Sequence, residues 1–260
     1  MEQNLPDLLH ILLIVCPLVF MAGFIDSVAG GGGLISVPAY LIAGLPTHLA
    51  MGTNKFVMSF GTGVACFKYL KSGKVMLKVA LISAFGCIIG SAIGTKLALL
   101  LDADKLRWLL LVALPLVAVF LSFNRQLGHD DAAPKALSPA RFTITALGIG
   151  ITIGCYDGLI GPGTGTFLIL GFSSLLGLDL LTSSGCAKVS NLASNLTSMV
   201  LYLSAGKVWL ALAGPAIIFC IAGNYAGAQY AIRGGSTKVR SVIYVVLALL
   251  FIRTIYDLWL

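Results

Sequence analysis

Asp26, Lys55, Asp157 and Lys188 are ionisable residues set within or at the ends of apolar stretches of this chain. A charged side chain at the centre of a bilayer costs about 2.5–3.5 kcal/mol on insertion scales, so each needs a partner or a task. One reading is structural: Asp–Lys ion pairs, or carboxylates capping helix amides, hold the chain together. The other is functional: the lysines supply positive charge to a central anion site, and the carboxylates orient or neutralise them when the site is empty. Proton coupling through a carboxyl whose pKa is raised by burial is a third chemistry open to the two aspartates.

Each aspartate opens a glycine-rich stretch, DSVAGGGG at Asp26 to Gly33 and DGLIGPGTG at Asp157 to Gly165. Such a run cannot hold a lipid-facing helix, and non-helical backbone at membrane depth is tolerated only when buried in protein or lining a wet cavity. The ten to eleven apolar residues after each break are too short to span and read as half-helices. Two facing half-helices starting at Gly33 and Gly165, with Gly31, Gly32, Gly163 and Thr164 in the turns before them, would aim amides and positive dipole ends at one midplane point. Thr164, Thr166 and Ser36 add hydroxyl donors. The plainer reading is that these glycines only permit close helix packing. Polar residues accompany both lysines: Asn54, Ser59 and Thr62 near Lys55, and Asn191, Asn195 and Ser198 at i+3, i+7 and i+10 from Lys188. That spacing makes a stripe on one helix face, serving either interhelical hydrogen bonds or a substrate path.

The elements that must position these groups are membrane helices. The chain has 260 residues, 58% hydrophobic and 10% charged, with 30 glycines. With glycine counted it is roughly 70% apolar, against 45–50% in soluble domains, and a soluble fold of this size could not hide that much apolar surface. Apolar runs lie at Leu8 to Ile25, Leu34 to Ala43, Leu49 to Leu70, Val75 to Leu101 and Leu106 to Phe123. A second series lies at Phe142 to Tyr156, Thr166 to Leu176, Gly185 to Leu203, Val208 to Tyr230 and Val239 to Tyr256. At about 20 residues per span, the expected fold is an all-α integral membrane protein. It is a polytopic bundle of about eight full spans plus a broken half-helix in each half, or ten helices if the short ones are counted.

Disorder, collagen-like order, a coiled coil and a soluble nucleotide-binding domain are excluded by the same composition. The net charge of +7 comes from basic residues spaced between apolar runs, which points to membrane orientation and to no nucleic-acid partner. Six cysteines show no CxxC and three histidines form no constellation, so neither a metal nor another cofactor is expected. With no nucleophile–base set either, the chain is not expected to be an enzyme. Met1 to His10 carries Glu2 and Asp7 but no Lys or Arg, so the first run is expected to be a retained span rather than a cleaved signal.

An internal repeat runs through the chain. Gly23 to Asp26 aligns with Gly154 to Asp157 at an offset of 131, and after a two-residue difference the offset becomes 133. There Gly52 to Lys55 meets Gly185 to Lys188, Tyr69 meets Tyr202, and Gly73-Lys74-Val75 meets Gly206-Lys207-Val208. The expected organisation is a first membrane repeat at 1–123, a polar linker at 124–141 and a second repeat at 142–260. If the short segments do not cross, each half has four crossings and the halves are parallel. If they do, each has five and the halves are inverted. Lys68, Lys71, Lys74, Lys78, Arg125, Lys135, Arg141, Arg233, Lys238 and Arg240 then share one side, the stronger positive-inside bias. Gly90-Ser-Ala-Ile-Gly94 and Gly223-Asn-Tyr-Ala-Gly227 have the GxxxG spacing of close helix packing, within the chain or in a homodimer.

At these residues the sequence resembles the TauE/SafE family, the sulfite-exporter or 4-toluenesulfonate-uptake-permease group, and within it the YfcA-like members. The matching stretches are GFIDSVAGGGGLISVPAY at Gly23 to Tyr40, GTNK at Gly52 to Lys55, YDGLIGPGTGTF at Tyr156 to Phe167 and AKVSN at Ala187 to Asn191. The resemblance implies duplicated membrane halves that move sulfite, sulfonates or related sulfur-containing anions. Ala187 stands where the first half has Asn54, so a symmetric site is not assumed. The expectation is therefore a multi-pass inner-membrane secondary transporter of a small anionic substrate, working among membrane lipid by alternating access at a midplane site. Two alternatives stand beside it: a proton-coupled cation carrier or anion channel, and a membrane-embedded assembly protein without substrate.

Overall fold

The computed structural model describes residues 8–110, 112 and 138–259, with side chains as far as residue 245. Its helices are α1 (Leu8–Ala29), α2 (Gly33–Ile42), α3 (Thr47–Lys71), α4 (Leu77–Leu100), α5 (Pro139–Leu159), α6 (Thr164–Leu176), α7 (Leu180–Ser204) and α8 (Leu210–Trp259), with a further helical stretch at 103–110. No strand occurs among the described residues. Among the described residues, four helical stretches are long and apolar enough to cross a membrane: α1, α4, α5 and Leu210–Val245 of α8. The 25-residue helices α3 and α7 have the length but carry the buried lysines and amides, which lowers their hydropathy below that of the four.

The short runs expected after the breaks are α2 and α6, of 10 and 13 residues. The last two apolar runs form the two helices grouped under α8, which meet in a kink at Gly235, whose φ of 67° and ψ of −166° are not helical. The run expected at Leu106 to Phe123 lies outside the described residues apart from 106–110 and 112. The linker expected at 124–141 lies outside them as far as residue 137, and Pro139 to Arg141 already belong to α5, capped by the Ser138 hydroxyl accepting from the Arg141 amide.

Lipid offers no hydrophobic drive for helices to associate, so close packing and interhelical hydrogen bonds must do it. Along the α4–α5 seam, Gly86, Gly90 and Gly94 face the backbone of Leu147, Ile151 and Cys155. Along α1–α8, Gly223 and Gly227 face Phe20 and Phe24. A Cβ at any of these glycines would run into a carbonyl oxygen, so both GxxxG stripes are used inside the chain. A hydroxyl ladder joins α4 to α7: Ser83 to Ser190 at 2.6 Å, and Ser91 and Thr95 each to Ser198 at 2.8 Å. Large apolar side chains such as Leu81, Phe85, Phe67 and Ile218 point outward, the surface a bilayer would cover.

These contacts also fix directions. Residue numbers rise together along α1 and α8, and along α4 and α5, so each of those pairs is parallel. In contrast, Gly52 of α3 meets Tyr202 near the end of α7 and Lys207 just past it, while Gly185 near the start of α7 meets Lys74 just past α3, so α3 and α7 are antiparallel. The carboxyl end of α3, the amino ends of α4, α5 and α7, and the Gly235 region of α8 therefore gather at one end of the bundle. Met76 contacting Cys186, Lys78 over the Phe142 ring and Leu181 bonding Ser236 all lie there.

Candidate functional site

An interrupted helix leaves its last four carbonyls without intrahelical donors, and at the end of α1 each has found one. The Asp26 carbonyl accepts from the Gly30 amide and from Lys188; Ser27 accepts from Tyr69, Val28 from Ser184 and Ala29 from the Thr166 hydroxyl. Backbone thereby survives unwound at depth because side chains of α3, α6 and α7 replace the missing water. Gly30, at φ +78°, lies so close to Gly165 that a Cβ on either would overlap the other's backbone, and the Thr166 amide donates to the Gly30 carbonyl at 3.3 Å. The two breaks thus cross in contact.

Beside this crossing lies a cavity of about 20 Å³, the size of one water. Its wall includes Asp26, Gly33, Asn54, Lys55, Asp157, Thr164, Gly165, Asn191 and Asn195. Of the residues expected from the sequence, Gly31, Gly32, Gly163 and Lys188 are not in the wall. Gly30, Gly161, Val37, Met51, Met58 and Ile160 complete it and were not foreseen. Gly161 and Gly30 carried a signal, since they align in the repeat; the four apolar residues look like any core residue.

The four charges form two buried pairs, each joining the first half of the chain to the second. Lys55 Nζ lies 2.6 Å from Asp157 Oδ2 and donates to Asn195 Oδ1 at 3.1 Å. Asp157 also accepts from the Ser194 hydroxyl. Lys188 Nζ lies 2.9 Å from Asp26 Oδ2 and also donates to the Asp26 carbonyl, with the Thr62 hydroxyl 3.5 Å from the same carboxylate oxygen. The pairs differ in placement. Lys55 and Asp157 both face the cavity, whereas Lys188 is fully buried behind Asp26, at the negative dipole end of α1. Asn54 Oδ1 is buried with no hydrogen-bond partner, an acceptor or, with the amide turned over, a donor left open at the cavity wall.

The hydroxyls considered as anion donors are otherwise engaged: Thr164 donates to the Gly161 carbonyl, Thr166 to Ala29 and Ser36 to Gly32. Several first-turn amides are engaged too, those of Leu34, Ile35 and Ser36 with Gly31 and Gly32, and that of Phe167 with Gly163. The polar stripe on α7 divides between both readings: Asn191 and Asn195 reach the cavity, while Ser198 belongs to the ladder with α4. Among the described residues no group of three or more His, Cys, Asp or Glu side chains could hold a metal.

Apolar helices of spanning length, packed through glycines around buried ion pairs and unwound backbone, define a multi-pass integral membrane protein. The family model described as sulfite exporter TauE/SafE matches residues 15–254, and the chain belongs to that family. It is 35% identical over 248 residues to a "Probable membrane transporter protein ORF9" of Sinorhizobium sp., covering 95% of this chain and 94% of the relative. A "Probable membrane transporter protein" of Haemophilus influenzae is 32% identical, with 96% of each chain covered. "Probable membrane transporter protein YfcA" of Escherichia coli is 31% identical, covering 97% of this chain and 91% of that protein. No solved structure matches.

Proposed function

We propose that this chain is a secondary transporter of the cell inner membrane that moves a small sulfur-containing anion, sulfite or a sulfonate, by alternating access between two inverted repeats. The observation that carries the reading is Lys55, a buried ammonium in the wall of a water-sized cavity where the two helix breaks cross, with amide side chains from α3 and α7 around it. The family description names sulfite export, which supports the substrate class.

An oxyanion of four or more heavy atoms does not fit about 20 Å³, so the cavity must widen to admit it. The anion takes the place of the Asp157 carboxylate on Lys55, and Asn54, Asn191 and Asn195 supply its further hydrogen bonds. Parting the Lys55–Asp157 pair loosens a bond between the halves, which couples occupancy to their relative movement.

The helix directions support inversion: α1 and α3 run opposite to α5 and α7, their counterparts at the repeat offsets. Lys68, Lys71, Lys74, Lys78, Arg141, Arg233, Lys238 and Arg240 then share the end that holds the Gly235 region, which the positive-inside rule assigns to the cytoplasm. Asp26 and Asp157 in the same wall favour one second reading, a proton-coupled cation carrier. The test is flux into proteoliposomes of sulfite, sulfate, thiosulfate, sulfoacetate and chloride, with and without a pH gradient. Saturable flux of a sulfur oxyanion is expected; no anion flux from folded protein would overturn the proposal.

A further inference from the structure

Away from the central cavity, two adjoining grooves of about 460 and 410 Å³ open on the outer face where α3 ends beside α8, and both are lined by Gln229. Their basic residues are Lys68 and Lys71 on α3 and Arg233 and Lys238 on α8, and among the described residues no acidic one lines either groove. Lys71, Arg233 and Lys238 are exposed, whereas Lys68 is held in place, donating to Gln229 Oε1 and lying 3.4 Å from the Tyr225 ring centroid. The walls are apolar and aromatic: Phe67 is 66% and Tyr225 55% exposed, and Tyr230 lies below Lys238 at 5.2 Å. Basic heads above apolar walls, with tyrosines at the level between them, is the chemistry of the membrane interface.

We propose that these grooves bind the phosphate headgroup of an anionic phospholipid, its acyl chains lying along the Phe67 and Tyr225 surface. A free phosphate would have no use for the apolar walls, which open sideways onto the face a bilayer covers. The grooves lie at the end of the bundle that is richest in Lys and Arg, where anionic lipid would concentrate the charge they match. The repeat does not require them, since at the offset of 133 Lys68 and Lys71 are met by Leu201 and Ser204.

The test uses the full chain purified in neutral detergent, with lipid retention read by native mass spectrometry. Phosphatidylglycerol, phosphatidylcholine of the same chains, and inorganic phosphate are added separately. Phosphatidylglycerol is expected to be retained over phosphatidylcholine and not displaced by millimolar phosphate. The triple variant Lys71→Gln/Arg233→Gln/Lys238→Gln should weaken retention about a hundredfold, at about fivefold per charge removed. Lys105→Gln/Arg107→Gln at the opposite end should leave retention unchanged. Because the triple variant could fold poorly, the single Lys71→Gln and Arg233→Gln variants are measured as well, each expected to weaken retention about fivefold. Equal retention of both lipids, displacement by inorganic phosphate, or undiminished retention in these variants would overturn the proposal.

Discussion

Lys188→Ala separates the two buried ion pairs by their work. Lys188 is 0% exposed and Asp26 only 3%, and the lysine serves both the carboxylate and the carbonyl of Asp26 at the end of α1. Removing one partner of a buried pair typically costs about 3–5 kcal/mol, because the other charge is left uncompensated. For a chain of this size each kcal/mol corresponds to about 2–4 °C of melting temperature, so the expected loss is about 6–20 °C. Removing both charges in Asp26→Asn/Lys188→Met should recover most of that loss. Lys55→Ala should cost less, since Asp157 keeps the Ser194 hydroxyl and faces a cavity able to hold water. The assay is thermal unfolding of purified protein in detergent, followed by fluorescence. A Lys188→Ala protein melting within about 2 °C of the parent, or no recovery in the double variant, would refute the assignment of Lys188 as the clamp of the α1 break.

Other expectations follow from the packing and the caps. Gly90→Val places a Cβ against the Ile151 carbonyl in the α4–α5 seam and should destabilise by about 1–3 kcal/mol, read as a lower melting temperature. Ser198→Ala removes two interhelical hydrogen bonds, those with Ser91 and Thr95, and at about 0.6 kcal/mol per bond in a membrane protein should cost about 1.2 kcal/mol, measured by the same unfolding. Asp179 caps α7 by accepting from the Thr182 amide at 3.0 Å. Burial pushes its pKa up, but hydrogen bonds from Thr182, Leu181 and Ser236 together hold it below the usual 3.8. Its stabilisation is therefore present above pH 3.8 and lost as pH falls through the lower folded value. Asp179→Ala should cost about 1 kcal/mol at pH 6, and the difference from the parent should shrink as pH is lowered to about 3.

Much of the site was legible because burying charge in lipid is costly: Asp26, Lys55, Asp157 and Lys188 stood out against their surroundings, and the glycine runs marked where helices stop. Which lysine meets which aspartate was not legible. Lys55 finds Asp157 and Lys188 finds Asp26 through the packing of α3 and α7 against the two breaks, which no local spacing encodes. The same crossing decides that Lys55 faces the cavity while Lys188 lies behind it. Thr164 and Thr166 were visible as donors, but their acceptors are carbonyls at the breaks, which exist only once the chain has unwound, while Ser36 bonds back to the Gly32 carbonyl one turn before it. Val37, Met51, Met58 and Ile160 carry no sign in an apolar sequence that they line a cavity rather than a core. The two runs of α8 were legible as separate helices, because Arg233 and Lys238 interrupt the hydropathy at the place where Gly235 breaks the helical backbone.

In the proposed transport cycle the anion binds Lys55 in place of Asp157. Its most direct test is sulfite counterflow in proteoliposomes holding equal amounts of folded parent, Lys55→Ala and Asp157→Asn protein. The expected result is that Lys55→Ala abolishes counterflow, while Asp157→Asn retains sulfite exchange. Full exchange in Lys55→Ala, with exchange lost in Asp157→Asn, would contradict it and place the transported charge on the carboxylates.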